Sequence, residues 1–154
     1  MKRGIFGGTF DYLHDGHLAM LNTAFIEGDE LLIGITTDTK ANKSRERDVN
    51  PYTERVNTLE DSCKTLANIH DTKFTINPIS DAFDAAIKAD ADFIVLSPEE
   101  KTHARASKIN TSRIERGKNR LQIIEAPMVT DYDGRKISAT RIANNEINTH
   151  GEKR

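Results

Sequence analysis

Gly4-Ile5-Phe6-Gly7-Gly8-Thr9-Phe10-Asp11-Tyr12-Leu13-His14-Asp15-Gly16-His17 is the stretch that decides the fold. Its apolar start reads as a buried strand cut off by a Gly pair. The apolar positions that follow, Leu18, Leu21 and Phe25, recur at the spacing of one helical face. A strand that passes through such a loop into a helix sets the loop at the carboxyl edge of a sheet, where open α/β sheets bind their ligands. The loop brings two imidazoles, a hydroxyl and glycine backbone to that edge. Together these groups suit a phosphate-bearing ligand.

Outward from this segment the alternation continues. Gly28 is placed to end the first helix. Glu30–Thr36 reads as a second buried strand, followed by a charged polar loop over 37–50. Pro51 opens a helix whose core face is Val56, Leu59, Cys63 and Leu66. A third strand is expected over 73–76, a short helix over 80–90 around Phe83 and Ile87, and a strongly apolar strand at Phe93–Leu96, stopped by Ser97-Pro98. A polar, basic helix over 102–116 ends at Gly117. A fifth strand is expected over 121–124, a loop over 127–136 and a last helix near Ser138, with 149–154 expected to fray. This order predicts a single α/β domain over 1–154. It is a Rossmann-like, doubly wound sheet of five mostly parallel strands with helices on both faces.

Composition narrows the function classes. The 154 residues are 36% hydrophobic and 30% charged, with a formal net charge of −2. That balance gives no basic surface for nucleic acid. No apolar run approaches the roughly 20 residues of a membrane span. A single cysteine, Cys63, forbids an intrachain disulfide and falls on a helix core face, as a packed thiol would. Met1-Lys2-Arg3 leads directly into a strand, so no signal peptide and a cytoplasmic location are expected.

In a parallel sheet the loops after the strands share one edge. Here they contribute Thr9 with two histidines, Lys40 and Lys43, Ser97, and Ser138 with Thr140 and Arg141. His14 and His17 share one face of the first helical turn, whose unpaired N–H groups are expected to attract an anion. One of them could instead cap or brace the turn. With Asp11 or Asp15 they could also contribute to a zinc site, although no Cys pair or third His stands near in sequence. Ser138 suits a helix N-cap as well as a ligand contact.

Gly8-Thr9-Phe10-Asp11-x-x-His14-x-Gly16-His17 resembles the signature of the nucleotidyltransferase superfamily that includes the class I aminoacyl-tRNA synthetases. Ile137-Ser138-Ala139-Thr140-Arg141 resembles its second signature. Pro51-Tyr52-Thr53-Glu54-Arg55, Ser97-Pro98-Glu99 and Ile109-Asn110-x-x-Arg113 look like the archaeal and eukaryotic type of phosphopantetheine adenylyltransferase. That resemblance implies a reaction of ATP with 4′-phosphopantetheine, giving dephospho-coenzyme A and pyrophosphate with Mg²⁺ and no covalent enzyme intermediate. It implies that His17 contacts the α-phosphate and that His14 assists. Gly8 and Gly16 would shape the phosphate loop, and Thr9 and Phe10 would hold both substrates' phosphates through hydroxyl and backbone N–H. Lys43, or its rival Lys40, would hold the acceptor phosphate. Ser138, Thr140 and Arg141 would hold the outer phosphates, and Ser97 and Glu99 would border the nucleotide. Arg113 would reach the phosphates or lie on the helix surface. Arg55 would brace the loop after the second strand or touch substrate. A monomer or homodimer is expected.

Other readings share parts of the pattern. A cytidylyltransferase for a small alcohol phosphate such as glycerol-3-phosphate would share the first signature. A nicotinamide mononucleotide adenylyltransferase would share the second, and an aldose-phosphate or flavin nucleotide-forming enzyme is a further reading. A nucleotide sensor without catalysis would keep the pocket alone.

Overall fold

β1 (Arg3–Gly8), α1 (Asp15–Glu27), β2 (Glu30–Thr36), α2 (Tyr52–His70), β3 (Lys73–Ile79), α3 (Ala82–Lys88), β4 (Phe93–Leu96), α4 (Glu100–Glu115), β5 (Gln122–Glu125) and α5 (Ala139–Ala143) follow one another in the computed structural model. It describes residues 1–39, 48–98 and 100–154, with the backbone alone at 100–102. The strands form one five-stranded sheet in the order β3-β2-β1-β4-β5. All four neighbouring pairs are parallel.

The period-2 alternation of strand side chains divides the interior into two cores. Phe6, Leu31, Ile33, Ile35, Phe93 and Val95 face one way, against Leu21, Ala24 and Phe25 of α1 and Leu59 and Cys63 of α2. Ile5, Ile94 and Leu96 face the other way, against Ala86 and Ile87 of α3 and Ala106 and Ile109 of α4. β4 is buried at all four positions, as a central parallel strand covered on both faces must be. Cys63 is buried, and its thiol pKa is pushed up to about 12 by burial and then by the charge of Glu60, so it is a packing group. Among the described residues no helix is long and apolar enough to cross a membrane.

The chain leaves β1 toward β2 and β3, then returns to its other side for β4. The crevice between the carboxyl ends of β1 and β4 is therefore the topological switch point, where such sheets bind ligands.

Two expectations are corrected. Arg113 is neither on the helix surface nor at the phosphates. It is fully buried, and its guanidinium donates to the carbonyls of Ala86, Ile87 and Ala89 at the end of α3 and to Asn119. A seven-residue helix leaves its last carbonyls without partners, and this arginine supplies them. Its neighbour Asn110 exchanges two hydrogen bonds with the backbone of Leu121, at 2.8 and 3.0 Å, and so pins α4 to the start of β5. Residues 149–154 do not fray either. Ile147 and Gly151 are buried, and Ile147 and Lys153 pair in an antiparallel bridge.

Candidate active site

β1 delivers its carboxyl end into a loop with two non-glycine residues in the left-handed region, Phe10 (φ 53°) and Tyr12 (φ 48°). Each costs about 1–2 kcal/mol, so the surroundings must enforce the turn. The Phe10 ring is buried edge-on to Phe6, with centroids 6.0 Å apart. Asp11 is buried and accepts from the Asn50 backbone at 3.2 Å and its side chain at 2.7 Å. Arg55, also buried, donates to the carbonyls of Thr9 and Thr36 at 2.9 Å each and of Asn50 at 2.8 Å. It therefore braces the ends of both β1 and β2. The Thr36 hydroxyl donates to the Thr9 hydroxyl at 3.1 Å, and a Thr9 oxygen that accepts there keeps its own proton for a ligand.

The two histidines are organised by the helix they open. His14 is the N-cap of α1, and its Nδ1 accepts from the N–H groups of Gly16 (3.1 Å) and His17 (3.4 Å). In return His17 Nδ1 accepts from the His14 N–H at 3.2 Å, which completes a capping box built from imidazoles. The rings stack 3.7 Å apart, and both line the cleft. A neutral ring whose Nδ1 accepts carries its proton on Nε2, so the cap selects the donor tautomer. Burial first, and the nearby Lys136 charge second, lower the His14 pKa to about 4, which keeps it neutral near pH 7. Gly16 leaves room for this arrangement, since a Cβ there would sit 2.9 Å from the His14 ring.

This geometry overturns one expectation. The first-turn amides of α1 are not open to an anion. Gly16 and His17 donate to His14, and Asp15 donates to the Thr149 carbonyl at 3.0 Å. The positive end of the helix dipole acts instead through an imidazole polarised by two backbone donors.

Across the cleft, Ile137 is buried with Ile142 and Ile147, and Ser138 caps α5 by accepting from the Arg141 N–H at 3.2 Å. Arg141 does not line the cleft. Its guanidinium pairs with Asp131 at 2.6 Å and donates to the Lys136 carbonyl at 2.8 Å. Burial opposes charge on Asp131. Hydrogen bonds from the Arg135 and Asp133 N–H groups, together with the ion pair to Arg141, outweigh it, and the carboxyl is held below its ordinary pKa.

The cleft encloses about 600 Å³. It brings together Gly8, Thr9, Phe10, His14, Gly16, His17, Ser97, Ser138 and Thr140, as the signatures imply, and leaves out Arg113 and Arg141. Lys40, Lys43 and Glu99 lie outside the described residues. The cleft also contains residues that sequence reasoning did not assign. Lys136 stands beside His14 electrostatically, and its only signal was a cation one position before the second signature. Arg105 and the carbon-rich surface of Leu32, Ile79, Ala82, Phe83, Ala86 and Ile109 also line the cleft, from β2, β3, α3 and α4. Asp11, an alternative zinc ligand in the sequence, is instead the pin for Asn50. No group of three or more His, Cys, Asp or Glu among the described residues could hold a metal ion.

Comparison with known proteins agrees with this geometry. The family model described as cytidylyltransferase-like matches residues 5–145. A phosphopantetheine adenylyltransferase of Methanosarcina barkeri is 39% identical over 98% of this chain and 92% of its own length. The enzyme of the same name from Methanosarcina acetivorans is 40% identical over 99% and 96%. Among solved structures, a protein of unknown function from Archaeoglobus fulgidus superposes with a TM-score of 0.67 at 28% identity, covering 82% of this chain and 90% of that one.

Proposed function

The chain belongs to the cytidylyltransferase-like family of nucleotidyltransferases, and from that premise we propose that it transfers AMP from ATP to 4′-phosphopantetheine, giving dephospho-coenzyme A and pyrophosphate. The observation that carries the choice of acceptor is the apolar lining that α3 adds to the cleft. A small polar alcohol phosphate has nothing to bury against Ala82, Phe83 and Ala86, whereas a phosphate ester with a long tail of methylenes and amides does. The names of the archaeal relatives point the same way.

In this reading an acceptor phosphate oxygen attacks the α-phosphorus in line. The new P–O bond forms as the bond to the β-phosphate bridging oxygen breaks, and pyrophosphate leaves with that electron pair. The protein contributes position and charge stabilisation. Nε2–H of His17 donates to the α-phosphoryl oxygen, and His14 holds the first helical turn and donates beside it. Gly8 and Gly16 keep the loop close, and the Thr9 hydroxyl and Phe10 N–H hold both substrates' phosphates. Ser138 and Thr140 hold the outer phosphates, with the Lys136 charge behind them. Lys43, with Lys40 as its rival, takes the acceptor phosphate, and Ser97 and Glu99 border the nucleotide. Mg²⁺ would come with the triphosphate, held by phosphate oxygens and water rather than by side chains, and would supply charge to offset the leaving pyrophosphate.

Pyrophosphate release tests the proposal, with ATP or CTP offered against 4′-phosphopantetheine or glycerol-3-phosphate. Turnover is expected for ATP with 4′-phosphopantetheine. Turnover confined to CTP with glycerol-3-phosphate would sink it, and nucleotide binding without turnover by any pair would favour a sensor.

A further inference from the structure

The segment 147–153 is a closed loop placed between the two signature segments. Ile147 and Lys153 pair across it, and Asn148 Oδ1 accepts from the N–H groups of His150 and Glu152 at 2.9 Å each. On one side the Thr149 carbonyl accepts the Asp15 N–H at 3.0 Å, and His150 Nδ1 lies 2.9 Å from Asp15 Oδ1. On the other side the Gly151 carbonyl accepts the Tyr132 N–H at 2.9 Å, and Ile147 packs with Ile137 and Ile142. That small cluster is separate from the two sheet cores. Gly151 has φ +77°, and a Cβ on it would meet the Asp131 Cα at 2.9 Å.

We infer that this segment is a strap that sets the distance between the first turn of α1 and the α5 start, with His150 and Gly151 as positioning residues. None of its residues lines the cleft, so it acts through Asp15 and Ile137. The two phosphate-holding segments lie more than a hundred residues apart in the chain. The strap hydrogen-bonds to the first at Asp15, which directly follows His14, and packs Ile147 against Ile137 of the second. Displacing one segment by about 1 Å is enough to lower an in-line transfer by about a hundredfold.

The test uses Gly151→Ala, His150→Ala and His150→Asn in the full chain, the asparagine amide offering a donor where Nδ1 stands. Amide hydrogen exchange at Asp15 is expected to speed up by about tenfold or more in the two alanine variants, as a lost native hydrogen bond permits. In His150→Asn it is expected to stay near wild type. The kinetic expectation rests on the transfer reading above. kcat should fall about 10–100-fold in Gly151→Ala and about 3–10-fold in His150→Ala, with KM for ATP within about threefold. His150→Asn should recover most of the loss. Unchanged Asp15 exchange, or kcat within twofold of wild type in both alanine variants, overturns the inference. So does a kcat loss that asparagine fails to rescue. Should Gly151→Ala not fold, the exposed His150 pair decides alone. A wild type inert toward ATP and phosphopantetheine would defeat the transfer reading, while Asp15 exchange would still judge the strap.

Discussion

At the residue scale the two histidines divide the work. His14 Nδ1 faces two backbone donors in the cap, while His17 Nδ1 accepts the His14 N–H and its ring lines the cleft. His17→Ala is therefore expected to lower kcat by about 10²–10³, the scale of one preorganised donor, with little change in ATP affinity. A loss confined to ATP binding would refute its transition-state role. His14 has a pH signature. Its folded pKa of about 4 lies below the 6.5 of a free imidazole, so the unfolded chain takes up the proton first as pH falls. Its contribution is intact above about pH 6.5 and is lost between there and about pH 4, on the order of 3 kcal/mol. Asparagine caps without titrating. Denaturant unfolding from pH 7 to 4 should thus show a steeper stability loss for wild type than for His14→Asn. Parallel curves would contradict the assigned cap. The positions of these histidines were legible in the sequence because spacing places them on one helical turn. Their Nδ1 partners were not, because a cap depends on backbone dihedrals that no residue letter fixes.

At the element scale Ile109-Asn110-x-x-Arg113 is the instructive segment. The sequence marked it as part of the resemblance and offered Arg113 to the phosphates. Its work is architectural, since Asn110 aligns β5 and Arg113 closes the short helix α3. The sequence left Arg113 at the phosphates or on the helix surface, because no residue letter shows that carbonyls of another helix end there. Arg113→Ala leaves those carbonyls buried and unpaired, at a cost of about 2–4 kcal/mol. Tm should fall by roughly 5–15 °C, measured by calorimetry. Turnover well below Tm should stay within about threefold of wild type. A large kcat loss in a folded, stable variant would return Arg113 to the phosphate-binding residues.

At the scale of the whole molecule, the order of apolar segments was enough to predict a parallel sheet with helices on both faces. The switch point between β1 and β4 then follows from the strand order. β4 is buried at every position, as a strand between helices on both faces requires. The third cluster, around Ile137, Ile142 and Ile147, was not legible. A polar, glycine-containing tail reads as fraying, and its order comes from long-range bonds to Asp15 and Tyr132. The apolar part of the cleft lining was equally hidden, since Ala82, Phe83 and Ala86 of α3 supply much of it. Its chemistry carries the central claim. The most direct test offers ATP, CTP, 4′-phosphopantetheine and glycerol-3-phosphate together in one Mg²⁺-containing reaction and identifies the products by mass. Dephospho-coenzyme A as the dominant nucleotide product is the predicted result. A cytidine diphosphate adduct of glycerol, or pyrophosphate released without dephospho-coenzyme A, would contradict it.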